Sequence, residues 1–130
     1  MIYHIETAVG NYIKDHYTSA VEVGFGGKTA AAKILLDAEI PVLCTDVHTY
    51  NTDVPAVVDD CVEPDYSLYE GADVIYAIRP GVEIVPALIF LAEKMNCDLI
   101  IYHLGFELYM NGGERINADG VLLHRYVKKK

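Results

Sequence analysis

The sequence predicts an α/β protein, a three-layer sandwich around a mostly parallel sheet of about six strands. Short β-branched and apolar runs alternate along the chain with segments of helical periodicity. The first such run ends in a glycine-rich turn at residues 24–27, and a helix-forming run follows it directly. Residues 104–120 contain no long amphipathic helix, so we expect the last strand to return antiparallel beside the fifth strand.

The N-terminal third predicts two helices and the first strand. Residues 2–17 place apolar side chains at helical spacing, with Glu6 among the charged residues that we expect to face water. Residues 20–23 are almost continuously apolar, which is typical of a central strand in a parallel sheet. Residues 28–38 form the second predicted helix, with Ala30, Ala31, Ile34 and Leu35 as the packing face.

The remaining strands are expected at residues 41–45, 56–58, 72–78, 98–103 and 121–126. A third helix is expected at residues 84–96, because apolar residues recur there with a period near 3.6. Pro86 fits this helix only if it lies in the first turn, where its missing N–H would have no helical partner. No repeat or linker interrupts the pattern, so we expect residues 1–130 to form one domain, with helix 2–17 leading into the first strand.

Charge and composition exclude several classes of protein. The net charge is −9, and neither lysine nor arginine occurs between Lys33 and Arg79, so this half of the surface should repel nucleic acid. No apolar run reaches the ~18–20 residues of a membrane span. The N-terminus lacks a basic and then apolar leader, and the three cysteines form no Cys-x-x-Cys pair. We therefore expect a cytoplasmic protein with reduced thiols.

The glycine turn can be compared with two phosphate-binding templates. The dinucleotide fingerprint Gly-x-Gly-x-x-Gly is matched by Gly24 and Gly26, but Thr29 stands where the third glycine belongs. The loop Gly-x-x-x-x-Gly-Lys-Ser/Thr ends correctly at Lys28-Thr29 but begins at Glu22 instead of glycine. NAD, and ATP or GTP, stay open as weaker alternatives.

A third template is an acidic residue followed by x-Gly-x-Gly, with a second acidic residue at the end of the next strand. Glu22, Gly24 and Gly26 match its first part, and Asp46 follows about 20 residues later. This pattern suits S-adenosylmethionine, which has no phosphate and whose sulfonium and ammonium groups favour acidic surroundings. A carboxylate such as Asp46 can accept hydrogen bonds from both ribose hydroxyls.

At this point the sequence resembles class I S-adenosylmethionine-dependent methyltransferases, and more closely a small archaeal family of truncated Rossmann-like proteins. The resemblance spans nearly the whole chain. It is carried by Val-Glu-Val-Gly-Phe-Gly (21–26), Cys-Thr-Asp (44–46), Val-Asp-Asp (58–60) and Tyr-Ala-Ile-Arg-Pro (76–80). It implies a Rossmann-like sheet of order 3-2-1-4-5, with a last antiparallel strand beside strand 5.

The resemblance also implies a binding site. Its expected cofactor-binding residues are Glu22, Gly24, Gly26, Gly27, Asp46, Val47, Asp60 and Cys61. The first glycines and Glu22 would line the methionine and ribose side. Asp46 would bind the ribose, Val47 would flank the adenine, and Asp60 and Cys61 would lie near the adenine amino group. Arg79-Pro80 would occupy the position from which methyltransferases address their substrate.

The chain departs from the methyltransferase pattern in two respects. Residues 76–80 lack the Asn-Pro-Pro-Tyr or Asp-Pro-Pro motif of amino-group methyltransferases, and no insertion is long enough to cover a substrate. Two functions therefore stay open: a minimal methyltransferase acting on a small molecule or partner protein, and a non-catalytic binding module. His48, His103 and the Asp59-Asp60 pair could supply acid–base chemistry, the histidine spacing predicts no metal site, and so short a chain could dimerise or use a protein partner.

Overall fold

The computed structural model describes residues 4–130. Its three α-helices are α1 (His4–His16), α2 (Ala30–Asp37) and α3 (Val85–Met95). Its strands are β1 (Ala20–Val23), β2 (Val42–Asp46), β3 (Ala56–Val58), β4 (Val74–Ile78), β5 (Asp98–Tyr102), β6 (Glu114–Ala118) and β7 (Val121–Val127). Short 3-10 helices occur at Tyr66–Tyr69 and Val82–Ile84.

All strands belong to one sheet of order β3-β2-β1-β4-β5-β7-β6. The first five are parallel to one another, and β7 lies antiparallel beside β5. The predicted strand order and the antiparallel return are therefore confirmed. Helix α1 covers most of the predicted segment 2–17, of which residues 2 and 3 lie outside the described part of the chain. Pro86 lies in the first turn of α3, as its chemistry requires.

Helices cover both faces of the sheet and make three layers. On one face, α1 and α2 pack over Tyr76 of β4 and Ile100 of β5. On the other face, α3 packs over Ile75 and Leu99, which are the neighbours of those residues along the same strands. Successive side chains of a strand point to opposite faces, so burial on both sides explains why the central strands read as continuous apolar runs.

Gly10 shows how closely the first two helices approach each other. A Cβ at this position would lie 3.1 Å from the Cα of Ala31 and 3.0 Å from the Cδ1 of Ile34, both in α2. A glycine inside a helix normally lowers its stability. Here it permits a close contact between α1 and α2, which a larger residue would force apart. This contact helps to hold α1 over the sheet.

The sheet has seven strands, one more than predicted, because the sequence reading missed β6. This edge strand is largely exposed and polar, so it lacks the apolar run that marked the others. A sequence signal was nevertheless present. Asp119 and Gly120 both have positive φ (55° and 82°), which is the two-residue hairpin turn that an Asp-Gly pair favours.

Candidate functional site

The carboxyl ends of the parallel strands bring the first predicted site residues to one edge of the sheet. In the strand register, Glu22 lies beside Cys44 of β2 on one side and beside Tyr76 of β4 on the other. Gly24 follows the end of β1, while Asp46 is the last residue of β2. Glu22 and Asp46 therefore share one edge of the sheet, on either side of the glycine turn.

The turn after β1 requires glycine for its backbone conformation. Gly24, Gly26 and Gly27 have φ values of 71°, 62° and 76°, in the left-handed region that disfavours other residues. A Cβ at Gly24 or Gly26 would meet nothing within 4 Å, so the backbone there borders open space. At Gly27 a Cβ would lie 2.8 Å from the Tyr50 ring, which closes that side of the turn.

Asp46 holds this turn in place. Its Oδ2 accepts a hydrogen bond from the N–H of Gly26 at 2.9 Å, and its Oδ1 accepts one from the N–H of His48 at 3.0 Å. The backbone carbonyl of the preceding residue, Thr45, accepts a 2.7 Å hydrogen bond from Gly24. The end of β2 thus fixes the position of the glycine turn that follows β1.

A cavity of about 180 Å³ opens beside the turn. It is lined by Glu6, Glu22, Gly24, Phe25, Gly26, Lys28, Ile78 and Arg79. Glu22 is only 2% exposed, and its Oε1 accepts a 2.8 Å hydrogen bond from the Tyr76 hydroxyl. Burial raises the pKa of Glu22 to about 7, against the lowering effect of that hydrogen bond. Glu22 therefore changes charge near neutral pH.

Glu6 belongs to this cavity, although the sequence reading placed it on the water-facing side of its helix. That expectation is wrong: Glu6 is 5% exposed, since α1 lies over the carboxyl edge and turns this residue inward. Its Oε1 accepts a 2.8 Å hydrogen bond from Nη1 of Arg79. Its Oε2 is buried and has no hydrogen-bond partner among residues 4–130. Burial alone would raise the pKa of Glu6, but the hydrogen bond and charge of Arg79 outweigh it and lower that pKa.

Arg79 connects the cavity to the carboxyl end of β5. Besides its ion pair with Glu6, its guanidinium lies 5.5 Å from the centre of the Tyr102 ring. Its φ is 56°, an uncommon conformation for a residue other than glycine, and its N–H donates a 2.7 Å hydrogen bond to the carbonyl of Tyr102. The side chain is therefore held between α1 and the end of β5.

The other predicted site residues lie outside the lining of this cavity. Val47 is 57% exposed. Asp60 is exposed, and its Oδ1 accepts a hydrogen bond from the N–H of Val62. Cys61 is buried in the core on the α3 face, and Pro80 is half-buried behind Arg79. Their roles in binding stay predictions.

Three further observations concern metal binding, membrane spanning and the predicted acidic pair. Within residues 4–130, no three His, Cys, Asp or Glu side chains converge as metal ligands. In the same part of the chain no helix combines the length and apolarity needed to cross a lipid bilayer. Asp59, the other half of the predicted acidic pair, accepts a 2.6 Å hydrogen bond from the Tyr69 hydroxyl. That contact fastens the loop after β3 to the core.

The sheet order and the strand–glycine turn–helix unit define a Rossmann-like protein of the methyltransferase type. A methyltransferase from Archaeoglobus fulgidus, described as S-adenosylmethionine-dependent, superimposes with a TM-score of 0.60 at 12% identity, over 80% of this chain and 53% of its own. CalS10 from Micromonospora echinaspora, an amino pentose methyltransferase with S-adenosylmethionine bound, gives 0.59 at 14% identity, over 92% and 61%. This chain thus spans a little over half the length of these structures, and the likeness shows the fold.

The chain belongs to the family described as "Uncharacterised protein family (UPF0146)", which matches residues 6–128. A member from Archaeoglobus fulgidus is 34% identical over 96 residues, which are 72% of this chain and 74% of the relative. The predicted membership of a small archaeal family is confirmed, and the predicted likeness to methyltransferases is confirmed for the fold.

Proposed function

We propose that this chain binds S-adenosylmethionine at the carboxyl edge of its sheet and acts as a minimal methyltransferase on a small molecule or a partner protein. The observation that carries the proposal is the pair of buried carboxylates, Glu6 and Glu22, facing one cavity beside the glycine turn. One oxygen of Glu6 has no partner within residues 4–130. Buried carboxylates are stabilised by a cation, and the ammonium and sulfonium groups of S-adenosylmethionine are both cationic.

The cavity also offers positive charge for the other end of an amino acid. Arg79 and Lys28 line it together with the two carboxylates. The methionine part of S-adenosylmethionine carries an ammonium and a carboxylate on one carbon, so a cavity with both signs of charge suits it. A triphosphate or pyrophosphate would instead meet the carboxylates of Glu6 and Glu22 where it needs hydrogen-bond donors, which argues against ATP and NAD.

The nucleoside half of the ligand would lie outside the cavity. At about 180 Å³ the cavity is smaller than the roughly 300–1,000 Å³ of typical small-molecule sites, so it holds only part of such a ligand. Asp46 already accepts one amide hydrogen bond on each oxygen, but each oxygen has a second lone pair for a ribose hydroxyl. The exposed Val47 and Asp60 are available for the adenine.

Methyl transfer at such a site would rely on positioning. Bound S-adenosylmethionine supplies a methyl group activated by its sulfonium, and the chain's residues would hold that ligand in line with an acceptor atom. A homodimer or a protein partner would supply the cover over the substrate that this chain lacks. Light scattering of the purified chain would reveal a dimer.

A second candidate function is ligand binding without methyl transfer. It is favoured by the contacts of Arg79, which stands where methyltransferases address their substrate. Its side chain already hydrogen-bonds Glu6 and lies over the Tyr102 ring. A chain of this kind would bind S-adenosylmethionine and its demethylated product but would transfer no labelled methyl group to any acceptor.

Calorimetric titration with S-adenosylmethionine, S-adenosylhomocysteine, ATP and NADH tests the proposal. We expect saturable binding of the two adenosyl compounds, weakened about tenfold or more by Glu22→Gln or Asp46→Asn. Asp53→Asn is the matched control, because Asp53 is exposed and its ion pair with Lys33 lies on the surface. Failure of both adenosyl compounds to bind would refute the proposal. ATP binding that Lys28→Ala abolishes would support the phosphate-loop alternative instead.

A further inference from the structure

A second and larger cavity lies along the same edge of the sheet, over the carboxyl end of β5 and the beginning of β7. Its volume is about 360 Å³, within the roughly 300–1,000 Å³ typical of small-molecule sites. Two buried histidines, His103 and His124, contribute to its lining, together with Tyr102 and Arg115. The sequence predicts His103 as a candidate base, because it follows a strand end, and gives no such signal for His124.

The hydrogen bonds of His103 favour one position for the proton of its ring. Its Nε2 lies 2.6 Å from the hydroxyl oxygen of Tyr126, and that oxygen also accepts a 3.1 Å hydrogen bond from the N–H of Tyr109. When the Tyr126 hydroxyl accepts from Tyr109 and donates its own hydrogen to Nε2, every group in these two contacts is paired. The proton of the neutral ring is then on Nδ1, which is buried and has no partner among the described residues. Burial, with a smaller effect of His124, lowers the pKa of His103 and favours the neutral ring.

The second histidine has the complementary arrangement. Nδ1 of His124 lies 2.8 Å from the carbonyl oxygen of Gly112, and a carbonyl can only accept a hydrogen bond. The hydrogen of the neutral ring is therefore on Nδ1, and Nε2 is its acceptor. The two imidazole rings lie edge to face with their centres 5.0 Å apart. The two histidines that line the cavity thus carry an unpartnered, buried donor on one ring and an acceptor on the adjacent ring.

We propose that this cavity binds a small molecule that carries a hydroxyl group on an apolar or aromatic body. The hydroxyl oxygen accepts a hydrogen bond from Nδ1–H of His103, and the hydroxyl hydrogen is donated to Nε2 of His124. A buried N–H without a partner costs free energy, and a hydroxyl, which both accepts and donates, satisfies the two histidines with one group. Leu108, Val121 and Leu122 supply apolar wall for the body of the ligand.

The two cavities are neighbours along the sheet edge. Ile5 lines the larger cavity and Glu6 the smaller, and Arg79 of the smaller cavity lies against Tyr102 of the larger. If the proposed methyl transfer is correct, on which this role depends, the bound hydroxyl is the acceptor. An oxygen–carbon bond then forms as the sulfur–carbon bond breaks, and the hydroxyl proton passes to Nε2 of His124. Binding of the hydroxyl compound does not depend on that reaction.

The test uses phenol, with anisole and toluene as matched probes, in NMR titrations of the ¹⁵N-labelled chain without any nucleoside. Phenol can accept and donate, anisole can only accept, and toluene does neither. We expect phenol to shift the imidazole resonances of His103 and His124 saturably and to bind roughly tenfold more tightly than toluene, with anisole between them. The imidazole ¹⁵N pattern of the free chain should show both histidines protonated on Nδ1.

Two substitutions remove one contact each while keeping the structural hydrogen bond of the same ring. His103→Gln retains a group near Nε2 for Tyr126 and removes Nδ1. His124→Asn retains a donor near Nδ1 for Gly112 and removes Nε2. Each should weaken phenol binding roughly tenfold, whereas His16→Gln, an exposed histidine on α1, should not change it.

Several results would overturn the proposal: no saturable phenol binding, equal affinity for phenol and toluene, or a His103 ring protonated on Nε2. The proposal would also be overturned if His103→Gln bound phenol as tightly as the unsubstituted chain. If either substitution unfolds the chain, the ranking of the three probes on the unsubstituted protein decides. Because no nucleoside is present, a failure here is separate from a failure to bind S-adenosylmethionine.

Discussion

Replacing Glu22 with glutamine should stabilise the chain in a pH-dependent way. Glu22 is almost fully buried, and its pKa rises from an ordinary value of 4.5 to about 7. A folded state with the higher pKa binds the proton more tightly, so its stability is greatest at low pH and falls as pH rises from about 4.5 to 7. Since each pKa unit corresponds to about 1.4 kcal/mol, the charged carboxylate costs the folded state on the order of 3 kcal/mol above pH 7.

Glutamine resembles the protonated carboxyl and can still accept the hydrogen bond from Tyr76. Glu22→Gln should therefore be more stable than the unsubstituted chain by roughly 3 kcal/mol at pH 8, and by less than about 1 kcal/mol at pH 5. Urea unfolding at the two pH values measures both differences, and Asp53→Asn serves as an exposed control. A difference of the same size at pH 5 and pH 8 would refute the reasoning that Glu22 is a buried group ionising near neutral pH.

Three further substitutions test the packing around the site, each by urea unfolding at pH 7. Arg79→Ala leaves the Glu6 carboxylate buried without its partner and should cost about 1–3 kcal/mol, an effect that Arg79→Lys should partly restore; a loss below 0.5 kcal/mol would mean that water reaches Glu6. Gly10→Ala should destabilise by up to about 2 kcal/mol, because the added Cβ meets the backbone of α2 and the overpacking cost of about 1–3 kcal/mol outweighs the ~1 kcal/mol gained in helix propensity; a gain in stability would contradict that contact. Tyr17→Phe removes a buried 2.6 Å hydrogen bond to Asp98 and should cost about 1–2 kcal/mol, whereas no change would show that this hydrogen bond makes no net contribution.

The positions of the five parallel strands could be expected from the sequence because their signals are local, whereas the order of these strands is what the resemblance to methyltransferases implies. Each central strand is an apolar run, and the glycines after β1 are the residues that a left-handed turn requires. Strand β6 was missed for the opposite reason. It is an edge strand with mostly exposed side chains, and its stability comes from pairing with β7. The Asp119-Gly120 pair was the signal that could have indicated it.

The candidate site was only partly predictable. Glu22 and Asp46 are found by spacing, since both lie near the carboxyl ends of neighbouring parallel strands. Glu6 was not, because its burial depends on how α1 crosses the sheet edge, which helical periodicity does not report. The tautomer of His103 likewise depends on its contact with Tyr126, which is 23 residues away in sequence. The tautomer of His124 depends on the backbone carbonyl of Gly112, which no side-chain pattern indicates. Contacts of this kind arise from tertiary packing.

The central claim is that the carboxyl edge of this sheet is an adenosyl-binding site, and a crystal structure of the chain grown with S-adenosylhomocysteine tests it most directly. We expect the amino group of the ligand within hydrogen-bonding distance of Glu6 or Glu22, and its ribose hydroxyls on Asp46. Ligand density at any other place on the molecule, or a sheet edge that stays empty at saturating ligand, would contradict the account.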